Sequence, residues 1–295
     1  MKSAVTIATL FSCTLAACTT EASPDSTLAQ LPPETLRVDV DGTTRLANIE
    51  MPLPMESGPL PLVMVFHGGG GSADRMQSVS QSLSRQLRAH GYIVAYMNGS
   101  SRLNLRNLRT WNADHCCAYA QDRHIDEAAF IDATVSELSS LTDIDTDRIF
   151  LLGHSNGAML SYRVASDLSF TPAGVVAISG AMFDDQPDIP AATSVLAIHT
   201  RDDAVVSFDG SADRSERHRT APHLPFASVR ERLETLKACT QSAETTPLPG
   251  LTISEAHCEG ESRVVTFASN EGGHEWPKAI PGFDLEAGIL TFLDG

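Results

Sequence analysis

The chain has 295 residues, 42% of them hydrophobic and 20% charged, a balance that supports a sizeable core and excludes a disordered chain. Its formal charge of −16 argues against nucleic acid and anionic lipid as partners, because phosphates are repelled at every approach. Length alone fits one large α/β domain or two small ones.

The N-terminus reads as an export signal. Lys2 gives a positive start, and "AVTIATLFSCTLAA" is apolar but too short to span a bilayer. It ends in Leu15-Ala16-Ala17-Cys18, which resembles the lipobox of bacterial lipoproteins. That resemblance implies a signal peptide over 1–17, acylation of Cys18 and, with Thr19 next, sorting to the outer membrane. An ordinary secretory signal is the alternative. Residues 18–34, small, polar and Pro-punctuated, read as a tether, and residues 35–295 as the catalytic domain.

From residue 35 the pattern alternates short apolar runs with helical periodicity, as expected of a mostly parallel sheet covered on both faces by helices. "TLRVDVDG" and "TRLANIEM" form an opening antiparallel pair, and "PLVMVF" is a buried central strand. "MQSVSQSLSRQLRAHG" reads as one helix ending at Gly91, followed by the strand "YIVAYM". In "IDEAAFIDATVSELSSL", Ala128, Ile131, Val135 and Leu138 recur at helical spacing with acids in the first turn. "RIFLLG", "AGVVAIS" and "SVLAIHT" are three further strands, with "SNGAMLSYRVASDL" a helix between the first two. "FASVRERLETLKA", "RVVTFAS" and "LEAGILTFL" close the chain as helix, strand and helix.

Four cysteines lie beyond the export segment. Cys239 and Cys258 flank an excursion of hairpin size and are expected to pair, a closure worth about 3 kcal/mol. Cys116 and Cys117 are adjacent, and a vicinal disulfide or two free thiols both remain open. Neighbouring cysteines lack the reach for tetrahedral zinc, so "DHCC" with His124 gives no metal site.

Ligands of open parallel sheets sit beyond the carboxyl ends of the strands. Gly153-His154-Ser155-Asn156-Gly157 fits G-x-S-x-G between a strand and a helix, the context in which a tight turn pushes a serine hydroxyl out of the sheet. A serine needs a base, and the base needs an acid to fix its tautomer. In the order Ser, acid, His, Asp203 and His274 follow the strands "SVLAIHT" and "RVVTFAS". "VMVFHGGGGS" offers backbone N–H groups for an oxyanion. The donors are assigned to Asn156 and Gly69, with Gly70 the nearest alternative. The glycine run also fits G-x-G-x-x-A, but the next strand ends in "NGSS" without an acid for a ribose, and no lysine completes a P-loop. No cofactor is implied.

"FHGGGGS", "WNADHCCAYA", "IDEAAF", "IDTDRIFLLGHSNGAML", "HTRDDAVVSFDG" and "GGHEWP", in this order, resemble the secreted polyhydroxybutyrate depolymerase and feruloyl esterase family of α/β-hydrolases, from about residue 35 to the C-terminus. The resemblance implies an α/β-hydrolase fold, with Ser155 as nucleophile, His274 as base and Asp203 as acid. Asp202 is the rival acid, and Asp203 is preferred because "HTRDDAVV" aligns with the family's H-G-x-x-D-x-x-V. Two positions depart from the family, which usually has glycine at Ala158 and at Thr200. The expected activity is an exported serine carboxylic ester hydrolase acting on polyhydroxybutyrate-type oligoesters or on hydroxycinnamoyl or acyl sugar esters. Trp111 and Trp276 are expected to offer an apolar platform to such substrates. With no polymer-adsorbing module expected after His274, soluble oligomers or small esters fit better than crystalline polymer. Contact with a membrane is expected only through the lipid anchor. A lipid-anchored protein of this fold that binds esters or glycans without turnover is the alternative reading.

Overall fold

The computed structural model describes residues 34–55, 57–103, 107–211, 221–276, 280 and 282–295. The expected signal peptide, Cys18 and the tether as far as residue 33 lie outside the described residues.

Among the described residues, ten strands form one sheet. β1 (Thr35–Val40) and β2 (Thr43–Glu50) pair antiparallel. Asp41 and Gly42 link them with φ of 50° and 74°, the left-handed pair whose twist suits a two-residue hairpin. β3 (Leu60–Phe66), β4 (Ile93–Met97), β5 (Ile144–His154), β6 (Gly174–Ile178), β7 (Ser194–Thr200) and β10 (Arg263–Ser269) are parallel. The hairpin of β8 (Gln241–Leu248) and β9 (Leu251–His257) pairs through β9 with β10. The order across the sheet is β1-β2-β4-β3-β5-β6-β7-β10-β9-β8. An antiparallel pair thus closes each end of a six-stranded parallel centre.

β3 shows why the centre reads as continuous apolar sequence. Leu62, Met64 and Phe66 pack into the core on one face, Val63 and Val65 into the core on the other, because successive side chains of a strand point to opposite sides. The first core takes in residues of α4 (Glu127–Leu141), α5 (Asn156–Val164) and α6 (Phe226–Leu236). The second takes in α1 (Ala73–Val79), α2 (Gln81–Ala89) and α7 (Leu285–Asp294). A short helix, α3 (Ala118–Asp122), precedes α4. This is the expected α/β-hydrolase architecture, a mostly parallel sheet with helices on both faces.

The single helix expected before Gly91 is instead two. At Ser80 the backbone leaves helical geometry, and the hydroxyl donates to the Met76 carbonyl (2.7 Å) and meets the Tyr96 hydroxyl (3.0 Å). A serine that binds the backbone one turn back competes with the helix ladder. Gly91 does follow the second helix, with φ of 85°.

Candidate active site

The nucleophile candidate sits where β5 turns into α5. Ser155 has φ 54° and ψ −120°, a region that a residue with a Cβ avoids at a cost of about 1–3 kcal/mol. The turn is held by its N–H on the Ile178 carbonyl (2.8 Å) and by its carbonyl, which accepts from Met159 N–H (3.0 Å). The flanking glycines are steric necessities. A Cβ on Gly153 would lie 2.2 Å from the Gly157 carbonyl oxygen, and one on Gly157 would lie 2.3 Å from that of Phe66. Ala158 is accommodated because its methyl faces Gly180, where any Cβ would approach it to 2.5 Å.

β7 and β10 are neighbours in parallel register, Thr200 opposite Ser269, so the loops that follow them leave the sheet side by side. They bring Asp203 and His274 together. Asp203 Oδ2 is 2.8 Å from His274 Nδ1, and His274 Nε2 is 2.8 Å from Ser155 Oγ. The Asp203 side chain is fully buried and its Oδ1 accepts from the N–H groups of Val205 and Val206 (2.8 and 2.9 Å). Burial works against its charge. Hydrogen bonds from His199 and His274, the proximity of His274 and the Val206 N–H outweigh it, and the carboxyl is held well below the usual carboxylate range. An ionised Asp203 requires the proton on Nδ1 of neutral His274, which leaves Nε2 free to accept from the Ser155 hydroxyl. Asp202, the rival acid, points elsewhere. It is exposed and accepts from the N–H groups of Gly273 (2.8 Å) and Gly272 (3.3 Å).

The two assigned oxyanion donors lie close together, Gly69 in the loop after β3 and Asn156 at the start of α5. Asn156 opens α5, where an N–H has no carbonyl one turn back to bond. A Cβ on Gly69 would lie 3.6 Å from the Asn156 Cβ. Gly70, the alternative, directs its N–H to the Arg109 carbonyl (2.8 Å).

His67, which sequence reasoning passed over, fixes the glycine loop from inside. Its Nε2 accepts from Gly99 N–H (3.1 Å), so the proton sits on Nδ1 and is donated to the Gly68 carbonyl (2.8 Å). Burial pushes its pKa down to about 4, so it is neutral at pH 7. Its only sequence signal is its place directly before the glycine run.

Trp111 does not offer a platform to substrate. It is fully buried, donates Nε1–H to the His67 carbonyl (2.9 Å), and exchanges backbone bonds with the Asn156 side chain, N–H to Oδ1 (2.8 Å) and carbonyl from Nδ2 (3.2 Å). It locks the glycine loop to the first residue of α5. An amphipathic ring can pack beneath a loop as well as line a cleft, and its N–H found a partner inside. Cys116 and Cys117 are bonded to each other in the turn that follows, where Cys117 N–H reaches the Trp111 carbonyl (3.0 Å). Cys239 and Cys258 are also bonded, joining the end of the α6 segment to the end of β9.

Trp276 is placed differently. It is partly exposed, stands edge-on to His154 with ring centroids 6.0 Å apart, and lines a groove of about 620 Å³. Residues 67–72, Met76, Val79, His154 and His274 form the rest of the wall, with Arg75 and Glu275 as its charged members. His154, inside the G-x-S-x-G motif, has no role that its sequence position signals. Its Nε2–H donates to the His274 carbonyl (2.7 Å), and burial lowers its pKa to about 4.

The phospholipase/carboxylesterase family matches residues 56–230. NocK of Nocardia uniformis subsp. tsuyamanensis, which bears the name esterase, is 29% identical over 241 residues, 74% of this chain and 65% of its own length. Feruloyl esterase B of Piromyces equi is 25% identical over 234 residues, 76% of this chain and 41% of its own. The chain therefore spans less than two thirds of the length of either relative. Acetyl xylan esterase from Aspergillus awamori has the same fold, with a TM-score of 0.55 at 15% identity over 89% of this chain and 99% of that one. With 175 of its 295 residues inside the family match, the chain belongs to the phospholipase/carboxylesterase family.

Proposed function

We propose that the protein is an exported serine carboxylic ester hydrolase that works through an acyl-enzyme. The observation that carries this reading is the relay of two 2.8 Å hydrogen bonds from Asp203 through His274 to Ser155. His274 Nε2 takes the hydroxyl proton as Ser155 Oγ attacks the ester carbonyl, and buried Asp203 stabilises the imidazolium. The N–H groups of Asn156 and Gly69 stabilise the oxyanion, rigidly placed because Trp111 and His67 hold both of their segments. The Nε2 proton then passes to the departing alkoxide. Water deprotonated by the same nitrogen hydrolyses the acyl-enzyme and frees Ser155.

The groove walled by Met76, Val79 and Trp276 suits an acyl group with apolar or aromatic surface. Oligomers of 3-hydroxybutyrate and hydroxycinnamoyl or acetyl esters of sugars are the substrate classes, the latter in line with the names of two of the similar proteins. Export through the N-terminal signal and anchoring at Cys18 belong to the same proposal. Hydrolysis of p-nitrophenyl butyrate tests the chemistry. Ser155→Ala and His274→Ala are each expected to lower kcat by at least about a thousandfold, and wild-type-like turnover by either variant contradicts it. A panel of 3-hydroxybutyrate oligomers, methyl ferulate and acetylated xylan ranks the substrates.

A further inference from the structure

His274 stands at the end of a loop that would be poorly defined on its own. Gly272 and Gly273 precede it with φ of 149° and 66°, and glycine carries the largest conformational entropy of any residue. Yet four polar backbone groups beside the imidazole are taken by side chains from other segments. Thr200 donates its hydroxyl to the Gly273 carbonyl (2.9 Å). Asp202 receives the N–H groups of Gly273 and Gly272. His154 donates Nε2–H to the carbonyl of His274 itself (2.7 Å). Shape adds to this, since a Cβ on Gly272 would lie 2.7 Å from Thr200 Cγ2, so the threonine methyl fills the space beside that glycine.

These three anchors come from the elements that carry the rest of the relay. Thr200 ends β7 and Asp202 directly precedes Asp203, while His154 ends β5 and directly precedes Ser155. The anchoring therefore ties the base to the acid on one side and to the nucleophile on the other. We infer that His154, Thr200 and Asp202 are positioning residues that hold the His274 backbone so that its imidazole bridges Ser155 and Asp203. None of them exchanges a proton with substrate. The inference rests on the Ser155, His274, Asp203 reading above.

His154 suits the task because it stays neutral. Its ring lies 5.4 Å from that of His274, centroid to centroid, and a charged neighbour there would oppose the imidazolium formed during attack. A displacement of about 1 Å in such an assembly costs on the order of a hundredfold in rate.

The test uses the full chain and p-nitrophenyl butyrate. Thr200→Val keeps the shape but removes the hydroxyl, and it is expected to lower kcat about tenfold, the factor of one hydrogen bond of ordinary net strength, with KM little changed. Asp202→Ala, at an exposed position that leaves the core intact, is expected to do the same, and the double variant to lose more than either alone but less than the product of the two, because both side chains hold Gly273. His154→Phe is expected to lose kcat, whereas His154→Gln, which retains a side-chain N–H donor, restores a large part of it. Rescue by glutamine and a loss confined to kcat separate positioning from general destabilisation, which thermal unfolding of each variant measures in parallel. Wild-type kcat in Thr200→Val and in Asp202→Ala, with Ser155→Ala inactive, overturns the positioning role and leaves the triad standing. Full activity in Ser155→Ala overturns the triad and the positioning role together.

Discussion

Acid should loosen the glycine loop before it reaches the bulk of the fold, and His67 is the reason. The neutral ring makes two bonds with fixed roles, Nδ1–H to the Gly68 carbonyl and Nε2 from Gly99 N–H. Protonation puts a second donor on Nε2, directly against the Gly99 N–H, inside a site with almost no solvent contact. Burial is the main cause that lowers the pKa from 6.5 to about 4, with Arg109 and Arg45 adding like-charge repulsion and the bond to Gly68 opposing. The folded-state pKa lies below the unfolded one, so the unfolded chain binds the proton first. The contribution is fully present above pH 6.5 and is lost as the pH falls from 6.5 to 4. Between pH 7 and pH 4.5 this linkage removes about 2 kcal/mol of stability. His67→Gln places a non-titrating acceptor near the Gly99 N–H. Urea unfolding of wild type and variant at both pH values measures the difference, and His154, present in both, cancels. The variant is expected to lose about 2 kcal/mol less than the wild type on acidification. Equal losses in the two proteins would refute the reasoning.

Three further outcomes follow from the same structure. Asn156→Ala strips partners from the Trp111 N–H and carbonyl in a buried site and is expected to cost about 2–4 kcal/mol in denaturant unfolding and to depress kcat. Lys237 is buried, donates to the carbonyl of Pro190 (2.7 Å), and has its pKa lowered by burial from 10.5 to about 8. The unfolded chain therefore holds the extra proton between those values, and wild-type stability measured against Lys237→Met should rise by up to about 3 kcal/mol from pH 8 to pH 10.5. Replacing both Cys239 and Cys258 by serine opens the Cys239–Cys258 link and is expected to lower stability by about 3 kcal/mol in urea unfolding.

Much of this site could be read in one dimension because its chemistry falls at strand ends. Apolar runs such as that of β3 mark strands buried on both faces, and the residues just past them are brought to one edge by parallel pairing. Ser155, Asp203 and His274 follow three such runs and lie within hydrogen-bond reach of one another, whereas the hairpin between Cys239 and Cys258 is signalled only by the spacing of the two cysteines. What escaped depends on tertiary packing. The break at Ser80 was hidden because Met76, Leu83 and Leu87 keep an apolar helical spacing across it while all three are buried. Trp111 and Trp276 look alike as isolated tryptophans in motif loops, yet one is enclosed beneath the glycine loop and the other stands in the groove wall. His67 and His154 carry no periodicity at all. Their roles come from hydrogen bonds to the backbone, a carbonyl and an N–H for His67 and a carbonyl for His154, and such bonds leave no trace in composition or spacing. Asp202 was recognised as a candidate, but only the two glycine N–H groups it receives give it a task.

The most direct measurement is covalent trapping of the acyl group. Rapid quenching of the enzyme with p-nitrophenyl butyrate, followed by peptide mass spectrometry, is expected to find butyryl on the peptide containing Ser155, with the adduct absent from Ser155→Ala and a burst of p-nitrophenol matching one equivalent of enzyme. Turnover by Ser155→Ala at the wild-type rate, or an acyl group found on another residue and never on Ser155, would contradict the account.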